Sequence, residues 1–387
     1  MSNPFTVKHS CPATHARVGE LNTSHGLVLT PAFMPVGSQG TVKSLTPEDL
    51  KKLSVNILLC NTYHLYLRPG IEIIEKHGGL HRFMDWDRPI LTDSGGYQVY
   101  SLSGLRKVTD EGIHFRSHID GSEHFLSPQL ALDYHRRIGS DIVMALDECP
   151  PNDAEYERTL DAMERTHRWA KICLDCPLSH GQMLFGIVQG GINNTLRHKS
   201  ASYFSDLEFA GYGIGGLSIG EPKEKTWEMT SIVVENLPAA KPRYLMGVGS
   251  PEDLVQAVSL GIDLFDSALP TRIARNGALL TRQGRINIRN AVYYNQETPL
   301  VPDCKCYTCQ HFSAAYLHHL FRCEELLAYR LATLHNLYFT ITLMNDIREA
   351  ILRGNFSDFK KEFLSGYKTA DEDIRIEQKR KWLRRSK

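Results

Sequence analysis

Eight short apolar runs, each followed within a few residues by a helix-like segment or a turn, set the tightest limit on how this 387-residue chain can fold. They are Ala32 to Val36, Val55 to Cys60, Ile90 to Asp93, Asp141 to Asp147, Met183 to Gln189, Gly211 to Gly216, Arg243 to Val248 and Ile262 to Asp266. Runs of this length suit buried strands. Between them, Pro47 to Leu53, Ser127 to Ile138, Ala154 to Cys173, Thr226 to Asn236 and Pro251 to Leu260 carry helical spacing. Thr46-Pro47-Glu48-Asp49 and Ser250-Pro251-Glu252-Asp253 each place a capping hydroxyl before a proline and two acids, which marks a helix start. Alternating strand and helix predict a parallel sheet, and eight repeats predict an α/β chain folded as a (β/α)8 TIM barrel. A doubly wound open sheet shares the alternation and is the runner-up. In the barrel, Asn61, Asp93, Asp147, Gln189, Gly216 and Asp266 close or follow the runs, so they should share the rim where the site lies.

The barrel is expected over residues 1–290, with its final helical elements drawn from the C-terminal part. Residues 291–370 should form a zinc-binding helical subdomain and 371–387 a basic tail. Leu279 to Ile288 reads as a β-ribbon turning at Gln283-Gly284, and Ser313 to Gly354 as helix. The tail ends in Lys379, Arg380, Lys381, Arg384 and Arg385, which suits a solvated segment or an arm on a nucleic-acid backbone. Formal net charge is zero, so a nucleic-acid partner must be held by a local basic patch. No apolar stretch reaches the roughly 18 to 20 residues that span a bilayer. Met1 to Ser10 lacks the apolar centre of a secretory signal, so a cytoplasmic protein is expected.

Nine cysteines without such a signal favour metal, catalytic or packing roles over disulfides. Cys304, Cys306 and Cys309 are dense enough to hold a metal, and with one imidazole they complete a closed tetrahedral structural zinc site. By composition, His335, His311, His318 and His319 all compete to be that imidazole. Cys173 and Cys176 have no partner cluster, which leaves ordinary packing.

Asp266 closes its run and is followed by a proline-stiffened turn carrying Arg272 and Arg275, a reactive acid beside an anion-binding loop. Asp93 also closes a run, and glycines after it keep the approach open. Two such acids at one rim can act as nucleophile and acid/base on a glycosidic bond, with retention through a covalent intermediate. Asp147, beside Cys149, and Gln189 suit the polar edge of a guanine-like base, whose faces Tyr97 and Met246 could cover. Gly211, Gly213 and Gly216 formally match a dinucleotide-binding fingerprint, but late in the chain. A flat backbone wall, exposing the peptides of Gly216 and Leu217 to a heterocycle, is the preferred reading.

In family order, the chain carries Phe33-Met34-Pro35-Val36-Gly37, Asn61-Thr62-Tyr63-His64-Leu65, Asp93-Ser94-Gly95-Gly96-Tyr97-Gln98, Asp147-Glu148-Cys149, Gly215-Gly216-Leu217 and Leu269-Pro270-Thr271-Arg272. Phe185-Gly186-Ile187-Val188-Gln189-Gly190 and Tyr244-Leu245-Met246-Gly247-Val248-Gly249 belong to the same series. With these motifs the chain resembles the queuine tRNA-ribosyltransferase family, the tRNA-guanine transglycosylases, and most closely their bacterial branch. The resemblance implies that Asp266 attacks the ribose C1′ of the wobble guanosine in the anticodon loop of GUN-anticodon tRNAs, with Asp93 as general acid/base. A 7-substituted 7-deazaguanine then completes the exchange, a step of queuosine biosynthesis. It further implies base recognition by Asp147, Gln189, Gly216 and Leu217, stacking by Tyr97 and Met246, phosphate contacts by Arg272 and Arg275, His335 as fourth zinc ligand, and a homodimer. Ser267-Ala268 and Ser218-Ile219 depart from the bacterial Cys-Val and Ala-Val. Ile219 and Cys149 favour 7-aminomethyl-7-deazaguanine as the incoming base, whereas Gly190-Gly191 and Ser218 lean toward queuine. Presence of both aspartates disfavours a non-catalytic tRNA-binding subunit.

Overall fold

The computed structural model describes residues 4–102 and 106–369; the basic tail expected at 371–387 lies outside them. At the centre run eight parallel strands: β1 Ala32–Pro35, β2 Leu58–Cys60, β3 Ile90–Thr92, β4 Ile142–Met144, β5 Met183–Val188, β6 Gly211–Ile214, β7 Arg243–Leu245 and β8 Leu264–Ser267. Their order is β1-β8-β7-β6-β5-β4-β3-β2, and a Val36–Leu59 bridge joins the two ends into a nearly closed barrel. Each strand occupies one of the eight apolar runs. Side chains alternate between two cores: Met34, Leu59, Leu91, Met144 and Phe185 point into the barrel, while Phe33, Leu58, Val143, Leu184 and Phe265 meet the helices outside. Burial on both faces is why the runs are continuous rather than alternating.

The inward glycines of β6 have a packing cause. A Cβ on Gly211 would lie 2.4 Å from the Phe185 ring, and one on Gly213 would lie 2.8 Å from the Met144 methyl. These two glycines therefore admit core side chains rather than a ligand, and the dinucleotide pattern is coincidental.

Helix starts differ in chemistry. Thr46 and Asp49 form a reciprocal capping box at 3.2 Å in each direction. Ser250 instead donates its hydroxyl to Asp253 at 2.5 Å and caps no backbone N–H. The segment after Asp266 is a seven-residue helix, Leu269–Arg275, with Pro270 in its first turn, not the expected loop.

Two antiparallel sheets are additions to the barrel. The first comprises Phe5–Ser10, Arg17–Thr23 and Gly26–Thr30, and inserts Phe5, Leu21 and Val28 into the barrel's inner core. The second, Arg106–Val108, Ile113–Arg116 and Glu123–Leu126, follows helix Gly96–Leu102.

The long helix Leu326–Leu352 serves two cores. Its first half buries Ala328, Leu331 and Ala332 with the ribbon Ala278–Thr281/Gly284–Asn287 and helix Ala314–Arg322. Its second half buries Leu337, Ile341, Met344 and Ile351 in the barrel's outer core. No helix among the described residues is long and apolar enough to cross a membrane.

Candidate active site

The C-terminal ends of β3, β4, β5, β6 and β8 deliver Asp93, Asp147, Gln189, Gly216 and Asp266 to one rim, because parallel strands all point the same way. Asp266 is half-buried near the end of β8. Its Oδ1 accepts from the Tyr244 hydroxyl at 2.6 Å and from the Gly247 N–H at 2.7 Å. Oδ2 meets no donor among the described residues. Burial raises its pKa above the usual carboxylate value, against the lowering effect of Tyr244 and Gly247. One oxygen is thus fixed and the other left without a donor.

Asp93 is 5 % exposed. Its carboxylate accepts from the Asn61 amide and from the Thr62 N–H at 2.8 Å, while the Thr62 hydroxyl holds its backbone carbonyl at 2.7 Å. Burial, with the carboxylates of Asp266 and Asp147 nearby, pushes its pKa up to about 7, against the hydrogen bonds from Asn61 and Thr62. A carboxyl poised there can give and take a proton near neutral pH.

Asp147 accepts from the Ser94 hydroxyl on Oδ1 and from the Gln189 amide on Oδ2, both at 2.7 Å. Burial raises its pKa, and the two donors oppose the shift. Gln189 is 1 % exposed, yet its Oε1 has no partner among the described residues, which leaves a buried acceptor open to a further hydrogen bond. Gly215 and Gly216 lie against the Gln189 side chain: a Cβ on either would fall 2.7 Å or 2.5 Å from its amide. Gly216 also has φ +66°, a left-handed conformation suited to glycine. Leu217 and Cys149 are buried, and burial pushes the Cys149 thiol up to about 12, so it packs as a neutral group. Asp147, Cys149, Gly96 and Tyr100 line one narrow cavity.

Tyr97 and Met246 are half-buried; Tyr97 tilts toward Tyr100 and Met246 lies beside Gly213. The two arginines differ. Arg272 is exposed near Tyr97, whereas half-buried Arg275 turns back to donate to the Thr271 carbonyl of its own helix at 2.9 Å.

Asn61, which closes its own apolar run, holds Asp93, and Tyr244 holds Asp266; no local sequence signal announced these pairings or the roles of the residues that follow. Glu221 accepts from the N–H groups of Ser218, Ile219 and Gly220 and from the Thr226 hydroxyl, which fixes the loop after Leu217. Arg197, 0 % exposed, donates to three backbone carbonyls, those of Gly191, Val188 and Gly215. Asn336, on the long helix, bonds Leu280 N and the carbonyls of Pro270 and Ala278, tying the helix after Asp266 to the C-terminal module.

Cys304, Cys306, Cys309 and His335 converge, with ligand atoms all within 4.8 Å of one another. His335 Nδ1 lies 3.9, 3.4 and 3.4 Å from the three sulfurs, and its Nε2 donates to the Leu280 carbonyl at 2.8 Å. That second bond fixes the tautomer leaving Nδ1 free as a ligand, the usual outer-shell arrangement of metal-binding histidine. The donor set could hold a metal ion and fits a zinc site. Competing histidines lie elsewhere: His311 bonds Tyr307 O, His318 bonds Ile288 O, and His319 sits against Cys323. Cys173 is buried packing at the end of helix Tyr156–Asp175, and the Cys176 thiol bonds the Ile172 carbonyl.

The whole chain is similar to known proteins. The sequence model of the family described as queuine tRNA-ribosyltransferase matches residues 11–369. A queuine tRNA-ribosyltransferase of Dehalococcoides mccartyi is 57% identical over 383 residues, covering 99% of this chain and 98% of that protein. Those of Pelotomaculum thermopropionicum and Halothermothrix orenii are 54% and 52% identical over 367 residues, covering 95% of this chain and 99% and 98% of theirs. With a family match over nearly its whole length and a barrel rim carrying the motifs, the chain belongs to the queuine tRNA-ribosyltransferase family of pentosyltransferases, the tRNA-guanine transglycosylases.

Proposed function

We propose that the protein exchanges the wobble guanine of GUN-anticodon tRNAs for 7-aminomethyl-7-deazaguanine by double displacement. The observation that carries this reading is the unequal hydrogen bonding of Asp266, with Oδ1 held by Tyr244 and Gly247 and Oδ2 without a donor. Oδ2 attacks ribose C1′, the C1′–N9 bond breaks, and its electron pair leaves with guanine. Asp93, with its pKa up at about 7, gives the departing base a proton. In the second half, Asp93 takes the proton from the incoming base, whose N9 attacks C1′ and releases Asp266. The base must leave its stack to reach this rim. Asp147, Gln189, Gly216 and Leu217 read its polar edge, Tyr97 and Met246 cover its faces, and Arg272, with Arg275 behind it, meets phosphate.

The aminomethyl base is favoured over queuine by Cys149 and Ile219 in the sequence. The glycines that lean the other way have structural causes. A Cβ on Gly190 would fall 2.9 Å from the Arg197 nitrogen, and one on Gly191 would fall 3.0 Å from Thr159. Their smallness therefore serves helix packing and does not argue for a larger substrate.

Zinc is the proposed metal at Cys304, Cys306, Cys309 and His335. With no open ligand position, it would supply rigidity to the module and no chemistry. Exposed Val292, Tyr294 and Leu326 on that module support its use as a homodimer contact.

The test is incubation with tRNA carrying labelled guanine at the wobble position, with each candidate base, followed by denaturing electrophoresis. Label loss with the aminomethyl base and a protein–RNA adduct requiring Asp266 are expected. Normal exchange by Asp266→Asn would remove the nucleophile assignment, and zinc-free native protein would remove the metal assignment.

A further inference from the structure

Arg197 is the most deeply buried cation among the described residues, and the reaction above leaves it unused. It sits in the first turn of helix Asn194–Ser205, with no exposed surface. Among the described residues, no carboxylate lies at hydrogen-bonding distance from its guanidinium. Instead Nε donates to Gly191 O at 2.7 Å, Nη1 to Val188 O at 3.0 Å and Nη2 to Gly215 O at 2.8 Å. These carbonyls lie at the end of β5 and in the two loops that carry Gln189 and Gly216–Leu217. Val188 O also accepts the Gly215 N–H at 3.1 Å, so the two loops are sewn together at one point. Burial lowers the pKa of Arg197 to about 10, offset by the neighbouring Cys149 and Glu221, which leaves it charged at neutral pH.

The Gly215 carbonyl and the Gly216 N–H are two ends of one peptide group. A cation donating to the oxygen draws electron density from the nitrogen and strengthens the N–H as a donor. Among the described residues, no acceptor meets the Gly216 N–H. Beside it lies the unpartnered Gln189 Oε1. The peptide is therefore bonded to a buried charge at one end and open to the base pocket wall at the other.

We propose that Arg197 is a positioning residue for base departure, clamping the Gln189 and Gly216 loops and polarising the Gly215–Gly216 peptide toward the 6-oxo group of the exchanged base. The inference rests on the exchange reaction proposed above. When the C1′–N9 bond breaks, its electron pair enters the purine and spreads to the 6-oxygen, so a donor aimed there binds the departing base more strongly than the bound nucleoside. Interactions that grow toward the transition state raise kcat rather than lower KM. An arginine suits the task because its fork serves both loops at once, which a lysine cannot do.

The test compares anticodon hairpins carrying guanine or 6-thioguanine at the exchanged position, sulfur being the weaker acceptor. Single-turnover base release is measured for wild type, Arg197→Met and Arg197→Lys, with melting temperature and zinc content as folding controls. Wild-type release of guanine decides the exchange reaction itself; the ratio between the two bases decides the role of Arg197. Wild type should prefer guanine. Arg197→Met should lose roughly tenfold to a hundredfold in kcat with little change in KM, below the ~100- to 1000-fold of deleting an oxyanion donor outright. Its preference for guanine should shrink toward unity, with Arg197→Lys intermediate. Equal losses with both bases, or a KM effect alone, would make Arg197 a structural clamp only and overturn the proposal. So would failure of both variants to fold, or a wild type indifferent to the 6-substituent.

Discussion

Asp263 and Asp266 lie at opposite ends of β8 and meet opposite surroundings. Asp263, at the lower end, is bound by Arg17 through both oxygens at 2.9 and 2.6 Å and also accepts the Arg243 N–H at 2.7 Å. At the same end of the barrel, before β4, Asp141 takes the Ile90 and His25 N–H groups and the His25 ring, with the His81 ring at 3.2 Å. Burial works against ionisation of Asp141, but bonds from His81, Ile90 and His25 outweigh it and lower its pKa. At the upper end, Asp93, Asp147 and Asp266 are shifted upward by burial with fewer or weaker donors. The lower carboxylates hold the barrel shut with the N-terminal sheet. The upper ones are held in place by fewer donors, so burial prevails and their charged forms are disfavoured, an arrangement that suits the reactive roles proposed for them.

The sharpest way to break this contrast is to neutralise each acid on β8. Asp266→Asn should lose at least ~1000-fold in guanine release, about 4 kcal/mol of barrier, while its melting temperature stays level or rises. Asp263→Asn should do the reverse. It leaves Arg17 buried without its partner, and about 3–5 kcal/mol of stability should vanish in denaturant unfolding, with base release per folded molecule retained.

Titration sharpens the contrast, because the ends have opposite linkage. Asp93 has a raised folded pKa, so its contribution is fully present below about pH 4 and is lost as pH rises through about 7. Asp141 has a lowered one, so its contribution is present above about pH 4 and is lost as pH falls through the folded value. Asp93→Asn should therefore stabilise the protein at pH 8, by about 1–2 kcal/mol, with the gain shrinking toward pH 4. Melting curves across this range check the sign; a gain largest in acid would be the wrong one. The smallest effect is expected from His25→Ala. Its partly exposed ring pairs with Asp141, so its loss should cost about 1 kcal/mol or less and leave exchange unaltered.

The barrel was legible in the sequence because strands buried on both faces write themselves as continuous apolar runs, and polar residues closing such runs point to the rim. Asp93, Asp147, Gln189 and Asp266 were placed at the rim in that way, and the close spacing of Cys304, Cys306 and Cys309 marked the cluster that His335 joins. The added sheets were not legible: Arg106–Val108 and Glu123–Leu126 are strands of three and four residues in which Leu126 alone is buried, with little apolar pattern. Helix Asn194–Ser205 escaped too, since its polar residues dilute the spacing.

Locally, the chain determined the eight barrel strands, most of the helices between them and which polar residues end those strands, because burial and capping act over a few neighbouring positions. Tertiary structure alone decided how those residues are partnered. Only the closed ring brings Tyr244 to one oxygen of Asp266, Asn61 to Asp93, and Arg197 beneath the Gly215 peptide. Only the long helix carries His335 to three distant thiols while Asn336 steadies the turn after Asp266. Such contacts join groups far apart in sequence, often through backbone carbonyls that every residue possesses, so no residue type announces them before the chain has folded.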